Sequence, residues 1–282
     1  MSLWFCESQT PAVRLCTRVK ETLHSDKTGP QELAVLSTYQ FGPALIVDGA
    51  MQTTSRDEFI YHEMLTHVPL YTHSHPEDIL LIGGGDGGSL REILKHPQVK
   101  SIRLVEADRR VVELSKKHLP QLSACLEDPR VEILYAHGCQ YLRETKDRYD
   151  VILVDTPVPV GRVAEHLTKE FYQDIYTALR EDGIFAIQSA SPFFQEDVML
   201  KIHRNIQAIF PITRMYLAFI PTQPGGIWSF TLGSKDYDPL STLAQKTPIP
   251  TRYYTCRLHR SAFVLPRFLE EMLDQEGPTG KS

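Results

Sequence analysis

The chain has 282 residues, 42% of them hydrophobic, enough apolar material for one large α/β domain with a smaller companion. A formal net charge of -5 argues against a protein that neutralises nucleic-acid phosphates and is compatible with cationic substrates. The opening MSLWFCESQ carries no apolar signal-peptide run, and no stretch of ~18 apolar residues is present to span a bilayer, so a soluble, cytoplasmic protein with no membrane or nucleic-acid partner is expected.

Cys6, Cys16, Cys125, Cys139 and Cys256 show no C-x-x-C spacing and read as reduced thiols, with no metal cluster among them. Residues 1–55 carry strand and turn signals. LAVLSTY, FGP and ALIVDGAMQTT are punctuated by Gly42, Pro43 and the Asp48-Gly49 pair, which predicts a small β domain. From residue 56 helix and strand alternate. RDEFIYHEML predicts a helix; ILLIG, IRLVEA, VEILYA, DVILVD and IFAIQS predict buried strands, with SLREILKH and RRVVELSKKHL helical among them. Short apolar runs alternating with helices imply a parallel sheet covered on both faces. ITRMYLAFI and IWSFTLGS, joined by PTQPGG, give a hairpin signal and predict antiparallel strands at the end of that sheet. The second domain is expected over 56–275, and the tail at 276–282, EGPTGKS, is expected to be disordered.

Between the first buried strand and its helix the chain reads GGGDGG. Gly83, Gly85 and Gly88 fit G-x-G-x-x-G, in which glycines let backbone approach a ligand at a helix N-terminus. Asp86 sits in the middle of that turn. A pyrophosphate there would lie close to the carboxylate, and two like charges at ~4 Å repel by several kcal/mol at a partly buried effective dielectric. The turn therefore suits a nucleoside that carries positive charge, a sulfonium or an ammonium. An S-adenosylmethionine-type ligand is the first expectation and a nicotinamide dinucleotide the last.

In doubly wound sheets ligands bind beyond the carboxyl ends of the strands. The polar residues at those ends are Asp86, Glu106, His137, Asp155 and Gln188. Glu106 closes the second strand, where a carboxylate accepts from both ribose hydroxyls; the alternative is that Glu106 and Asp108 cap the following helix. Asp155 is followed by TPVPVG, whose prolines stop regular structure and leave the carboxylate at a loop mouth; the alternative is an aspartate capping the turn. Tyr61 and His62 either line the same cleft or belong to the core. His73 and His75 occupy a proline-containing turn without a third ligand and read as loop residues, so no metal site is expected.

Taken together, LWF, YHEM, GGGDGG, LVEAD, YDVILVD, PVG, AIQS and the IPT loop, spread over essentially the whole chain, resemble the polyamine aminopropyltransferase family, the spermidine synthases. The resemblance implies a Rossmann-like S-adenosylmethionine-type transferase domain, an α/β fold, behind the N-terminal β domain, assembled as a homodimer or homotetramer. It implies transfer of an aminopropyl group from decarboxylated S-adenosylmethionine, a co-substrate, to a small-molecule amine. The default acceptor is putrescine, giving spermidine and 5′-methylthioadenosine, and no prosthetic group or metal is implied. By the same resemblance Asp155 is the catalytic base and Asp86 holds the donor's ammonium. Gln31, Gly83, Gly85, Glu106, His137 and Gly138 surround the nucleoside, while Gln52, Tyr61, His62, Asp155, Val158, Gln188 and Gln223 line the donor and acceptor sites.

Several positions depart from the family pattern. The loop usually written D-S-[ST]-[DE]-P-V-G-P is here Asp155-Thr156-Pro157-Val158-Pro159-Val160-Gly161-Arg162, so Val158 replaces a carboxylate that helps bind and deprotonate the acceptor. Ala190 stands for an acidic residue and Gln223 for an aromatic one. On the nucleoside side His137-Gly138 replaces an Asp-Gly or Asp-Ala pair, and a neutral imidazole keeps one acceptor nitrogen for the adenine amino group. Arg162 replaces a proline beside the adenine. The acceptor stays open between putrescine and a less cationic or carboxylated amine. An S-adenosylmethionine-dependent methyltransferase and a nucleoside-binding paralogue without catalysis are the alternatives on the same fold.

Overall fold

The computed structural model describes residues 2–157, 168–241 and 248–274; Val158, Arg162 and the tail at 276–282 lie outside them. The first strands, β1 (Leu3–Thr10), β2 (Val13–Asp26), β3 (Leu33–Thr38), β4 (Gly42–Val47) and β5 (Ala50–Thr54), form an antiparallel sheet in sequential order. The Asp-Gly pair between β4 and β5 turns as its residues demand, with Asp48 at φ 49° and Gly49 at φ 78°. The β1–β2 hairpin sets Cys6 opposite Cys16 with their Cα atoms 4.1 Å apart, and the two form a disulfide. The expectation of five reduced thiols is corrected: Cys6 and Cys16 are joined, while Cys125, Cys139 and Cys256 take no part in a disulfide. Nothing in their spacing signals the pairing, because the two become neighbours only through the strand register. Cysteine usage then no longer points to a reducing compartment.

The rest of the chain runs α1 (Glu58–Thr72), β6 (Asp78–Gly83), α2 (Gly88–Leu94), β7 (Ser101–Glu106), α3 (Arg109–His118), α4 (Pro120–Ser123), β8 (Val131–Tyr135), α5 (Gly138–Arg143), β9 (Tyr149–Asp155), α6 (Lys169–Ala178), β10 (Leu179–Gln188), α7 (Glu196–Gln207), β11 (Ile212–Phe219), β12 (Ile227–Ser234), α8 (Cys256–Ala262) and α9 (Arg267–Asp274). Its sheet has the order β11-β12-β10-β9-β6-β7-β8. The five strands from β10 to β8 are parallel, and β11 and β12 are the expected antiparallel hairpin at one edge. Alternation along β6 and β9 feeds two cores. Leu81 and Leu153 pack with Leu65 of α1 and Phe230 of β12, while Leu80 and Ile152 pack with Phe171 and Tyr172 of α6.

After β6 the chain moves one way through β7 and β8, then returns to the other side of β6 as β9. The carboxyl ends of β6 and β9 therefore flank the switch point where such sheets hold ligands. The N-terminal sheet docks beside it: Leu33, Val35, Leu45 and Val47 pack on Val111 and Leu114 of α3 and on Leu119 and Leu122. Helix α1 crosses the same region and is buried on nearly every side. Apart from the Thr66 hydroxyl, which has no hydrogen-bond partner, its buried polar groups are tied into the surrounding structure. Glu63 accepts the backbone N–H groups of Arg252, Tyr253 and Tyr254, and His67 pairs with Glu92 and His96. No described helix is long and apolar enough to cross a membrane.

Candidate active site

β6 ends at Gly83, which the register sets beside Asp155, the last residue of β9. From there the glycine turn passes between acidic side chains, and its lack of side chains is what makes room for them. A Cβ on Gly85 would stand 2.7 Å from Oε2 of Glu106, and one on Gly88 would overlap the ring of His62. Gly85 N donates to Glu106 Oε2 at 3.1 Å and Asp108 N donates to Oε1 at 3.0 Å. Asp108, not Glu106, caps α3, accepting from Arg110 N at 3.0 Å. Each Glu106 oxygen thus keeps acceptor capacity toward the cleft. Burial pushes this carboxyl up to about 7, against the pull of the N–H groups of Asp108 and Gly85.

On the other side of the turn, one donor atom each from His62, Asp86 and Asp155 lies within 4.8 Å of the others. Asp86 accepts from Thr53 Oγ1 at 2.5 Å and from Gly88 N at 2.9 Å. His62 Nδ1 donates to Glu58 Oε2 at 2.7 Å, and Nε2 lies 3.7 Å from Asp86 Oδ2. Burial pulls the imidazole down, but Asp86, Glu58 and Asp155 outweigh it and hold the ring at about 9. Asp155 accepts from Ser89 Oγ at 2.6 Å and from the Tyr61 phenol. Burial raises the Asp155 carboxyl, Asp86 adds to the rise and His62 opposes it. Burial, Asp155 and Asp86 push Tyr61 well up, so it remains a neutral donor. With Nδ1 committed to Glu58, only Nε2 of the ring faces the two carboxylates, and a metal ion there would have to displace its proton. Two carboxylates and a phenol around one gap suit an alkylammonium instead, and a carboxyl whose charged form is destabilised is the better proton acceptor once ionised.

The remaining expected residues are less centrally placed. Gln188 bridges: its Nε2 donates to Thr156 O at 3.2 Å and its Oε1 accepts from Ala190 N at 3.0 Å. Ala190 is buried and left-handed at φ 70°, its carbonyl held by Ser229. Gln52 is the extra residue of a bulge in β5, since Thr53 pairs with Leu45 and Met51 with Ile46; bulges re-aim side chains near sites. The carbonyl of Gln31 accepts from Arg110 Nη2 at 2.8 Å, which ties it to the mouth of β7. His137 is exposed just before α5, which Gly138 begins, and Gln223 lies half-buried in the loop between β11 and β12. Gln52, His137 and Gln223 take no part in the hydrogen bonds described for the Asp86–Asp155 cluster. His73 and His75 lie in the expected turn, but His73 is buried, with ligand-type atoms of Asp150 and Asp182 within the same 4.8 Å.

Sequence reasoning missed Thr53, Asp57, Glu58, Ser89 and Arg91. Arg91 pairs with Glu58 through two nitrogens at 3.1 and 3.0 Å. Asp57 Oδ2 accepts from Thr222 N at 3.0 Å and Oγ1 at 2.7 Å, tying the 220–226 loop to the start of α1. Glu58 was findable, because it stands four residues before His62 on one helix face. Thr53 and Asp57 depend on contacts far apart in the chain and give no local signal. A cavity of about 490 Å³ opens behind the turn, between Arg91, Lys95, Cys125 and Asp128, away from the carboxylate cluster.

A parallel sheet with an acid-lined switch point and an N-terminal β domain defines a Rossmann-like transferase. Residues 58–244 match the family described as the spermine/spermidine synthase domain, and residues 3–55 match the spermidine synthase tetramerisation domain. The chain is 49% identical over 276 residues to a polyamine aminopropyltransferase of Thermoanaerobacter sp. (strain X514), covering 98% of this chain and 100% of that one. It is 46% identical over 274 residues to the polyamine aminopropyltransferase of Shouchella clausii (strain KSM-K16), covering 97% and 100%. Among solved structures it resembles a spermidine synthase in complex with the transition state analogue AdoDATO, with a TM-score of 0.93 and 39% identity over 96% of this chain and 94% of that one. The spermidine synthase from Thermotoga maritima gives 0.91 and 38% over the same shares. The chain belongs to the spermine/spermidine synthase family of polyamine aminopropyltransferases.

Proposed function

We propose that the chain transfers the aminopropyl group of decarboxylated S-adenosylmethionine to a primary amine and releases 5′-methylthioadenosine. The observation that carries this reading is the convergence of Asp86, Asp155, Tyr61 and His62 at the switch point, with Glu106 on the other side of one glycine turn. Glu106 accepts the ribose hydroxyls, and Asp86 pairs with the donor's ammonium. The amine nitrogen attacks the methylene next to sulfur, the C–S bond breaks with its electron pair going to sulfur, and the sulfonium leaves as a neutral thioether. The acceptor must first be neutral. An alkylammonium titrates near ~10.4, so removing its proton at neutral pH costs about 4 to 5 kcal/mol. Asp155 takes that proton and passes it to water, with Tyr61 and Ser89 fixing its orientation. The tetramerisation-domain match over 3–55 supports a homo-oligomer, a dimer or a tetramer.

A second reading concerns the acceptor and rests on Val158, Ala190 and Gln223, which leave the acceptor side short of charge and aromatic surface. On it, putrescine is a poor acceptor and a less cationic or carboxylated amine the better one. Incubation with decarboxylated S-adenosylmethionine and a panel of amines, with products identified by mass, tests both. Aminopropylated amine with methylthioadenosine is expected. Methylation from intact S-adenosylmethionine, or binding without turnover of any amine, overturns the transferase reading. Efficient putrescine turnover that Val158→Asp leaves unchanged overturns the second reading alone.

A further inference from the structure

Glu58 and Arg91 touch no substrate in the mechanism above, yet they connect directly to it. Glu58 is buried in the first turn of α1. Arg91, on α2, sets Nη1 3.1 Å from Glu58 Oε1 and Nη2 3.0 Å from Oε2, a parallel two-point clamp, while its Nε donates to Glu92 Oε1 at 2.8 Å. The clamped carboxylate accepts from His62 Nδ1 at 2.7 Å, and the opposite ring nitrogen faces Asp86 at 3.7 Å. A chain of contacts therefore runs from Arg91 through Glu58 and His62 to the glycine turn. Because Nδ1 donates to Glu58, the ring cannot rotate or exchange tautomers without breaking a buried charged hydrogen bond.

Two carboxylates as close as Asp86 and Asp155 tend to share one proton, since both charges repel in a confined space. A shared proton defeats the reaction either way: on Asp86 it loses the ammonium partner, and on Asp155 it removes the base. We propose that Glu58 and Arg91 are positioning residues for the transfer reaction, holding the His62 ring fixed and charged against the Asp86–Asp155 pair so that both carboxylates stay ionised together. The groups facing His62 are Glu58 and Tyr61 of its own helix, Asp86 of the turn and Asp155 of β9, with Arg91 of α2 behind Glu58 and Gly88 against the ring. Arg91 and His62 are the cations among these residues, so removing either end of the clamp changes the balance at the pair.

The kinetic consequence rests on the aminopropyl-transfer reading; the titration of His62 does not. The test is therefore a histidine ring NMR titration of the unliganded full-length chain, with the His62 signal assigned by its loss in His62→Gln, alongside the pH profile of kcat. In the wild type the His62 midpoint is expected near 9. In Glu58→Gln it should fall by about one pH unit or more, and the alkaline limb of the kcat profile should begin lower by about as much, because the ring then gives up its charge sooner. Arg91→Met should move the midpoint the other way, up, since a neighbouring cation is lost while Glu58 keeps its charge, and Arg91→Lys should bring it part of the way back, because a lysine supplies charge without the two-point geometry. A folded Glu58→Gln with an unchanged His62 midpoint overturns the proposal and leaves Glu58 a structural residue of α1. Should Glu58→Gln fail to fold, equal midpoints in wild type and Arg91→Met overturn it instead. Absence of aminopropyl transfer by the wild type removes the functional reading and leaves the titration to decide the clamp.

Discussion

Glu106 is held in two incompatible ways: by burial, which favours its neutral form, and by two backbone N–H donors, which favour its charge. With the carboxyl raised to about 7, the native state keeps its proton longer than the unfolded chain, whose value is near 4.5. Through this residue stability falls as pH rises between those two values, and a ligand that donates hydroxyls to the carboxylate restores it. Affinity for methylthioadenosine is accordingly expected to rise between about pH 6 and pH 8 in calorimetry. Glu106→Gln should flatten that dependence and weaken binding by about 1 to 3 kcal/mol, the scale of hydrogen bonds to a charged group. Asp86→Asn makes the contrasting case: it should cost decarboxylated S-adenosylmethionine far more than methylthioadenosine, which lacks the ammonium, and equal losses would show that Asp86 only shapes the turn. These residues were legible because each stands at the end of an apolar strand or inside a glycine run. Thr53 and Ser89, which aim Asp86 and Asp155, were not; a hydroxyl residue in a strand or first helical turn looks the same whether or not a carboxylate folds against it.

At the scale of elements, the alternating pattern from β6 to β12 was readable because its strands are short apolar runs bounded by polar ends, the central β6 and β9 being buried on both faces. Helix α1 was recognisable, but not its near-complete burial, since a helix covered on all sides loses the one-faced stripe that marks a surface helix. The β1–β2 hairpin went unread for the opposite reason. Its exposed outer face carries Arg18 and Lys20, whose cationic heads lie over the Tyr39 ring, and this hides strand alternation among charges. The junction of α1 with α2 makes an expectation of its own. Gly88 begins α2 where a Cβ would collide with the His62 ring, so Gly88→Ala must displace a side chain that Glu58 holds. A loss of about 1 to 3 kcal/mol in stability is expected from such overpacking, together with reduced turnover. The double variant Gly88→Ala with His62→Ala should regain part of the stability and none of the turnover, as thermal unfolding and product assays would show. If the single variant keeps both stability and turnover, the ring is not fixed against the turn.

For the whole molecule, the N-terminal sheet is both part of the site and a surface. Thr53 of β5 donates to Asp86, and Asp26 of β2 accepts from Arg110 beside the mouth of β7, so the β domain helps set the geometry of the turn and of the strand ends. Its far edge is different in kind. On the β1–β2 hairpin Leu3 is 51% exposed, Trp4 53%, Val13 42% and Leu15 39%, an apolar concentration that a lone chain leaves in water. The region that carries it matches a tetramerisation domain, so another copy of the chain is the occupant expected at that edge. Light scattering at micromolar concentration should therefore give a mass several times that of one chain. Trp4→Asp combined with Leu15→Asp should lower it, because each buries an unpaired charge where an apolar contact is needed. Although Glu7 of β1 accepts from Met51 N of β5, neither Trp4 nor Leu15 takes part in the Thr53–Asp86 hydrogen bond, so the smaller species should keep it and bind methylthioadenosine with unchanged affinity. A mass unaltered by both substitutions would place the assembly surface elsewhere. A reduced mass with lost nucleoside binding would mean that the five strands carry the subunit interface and the glycine turn as one mechanical unit.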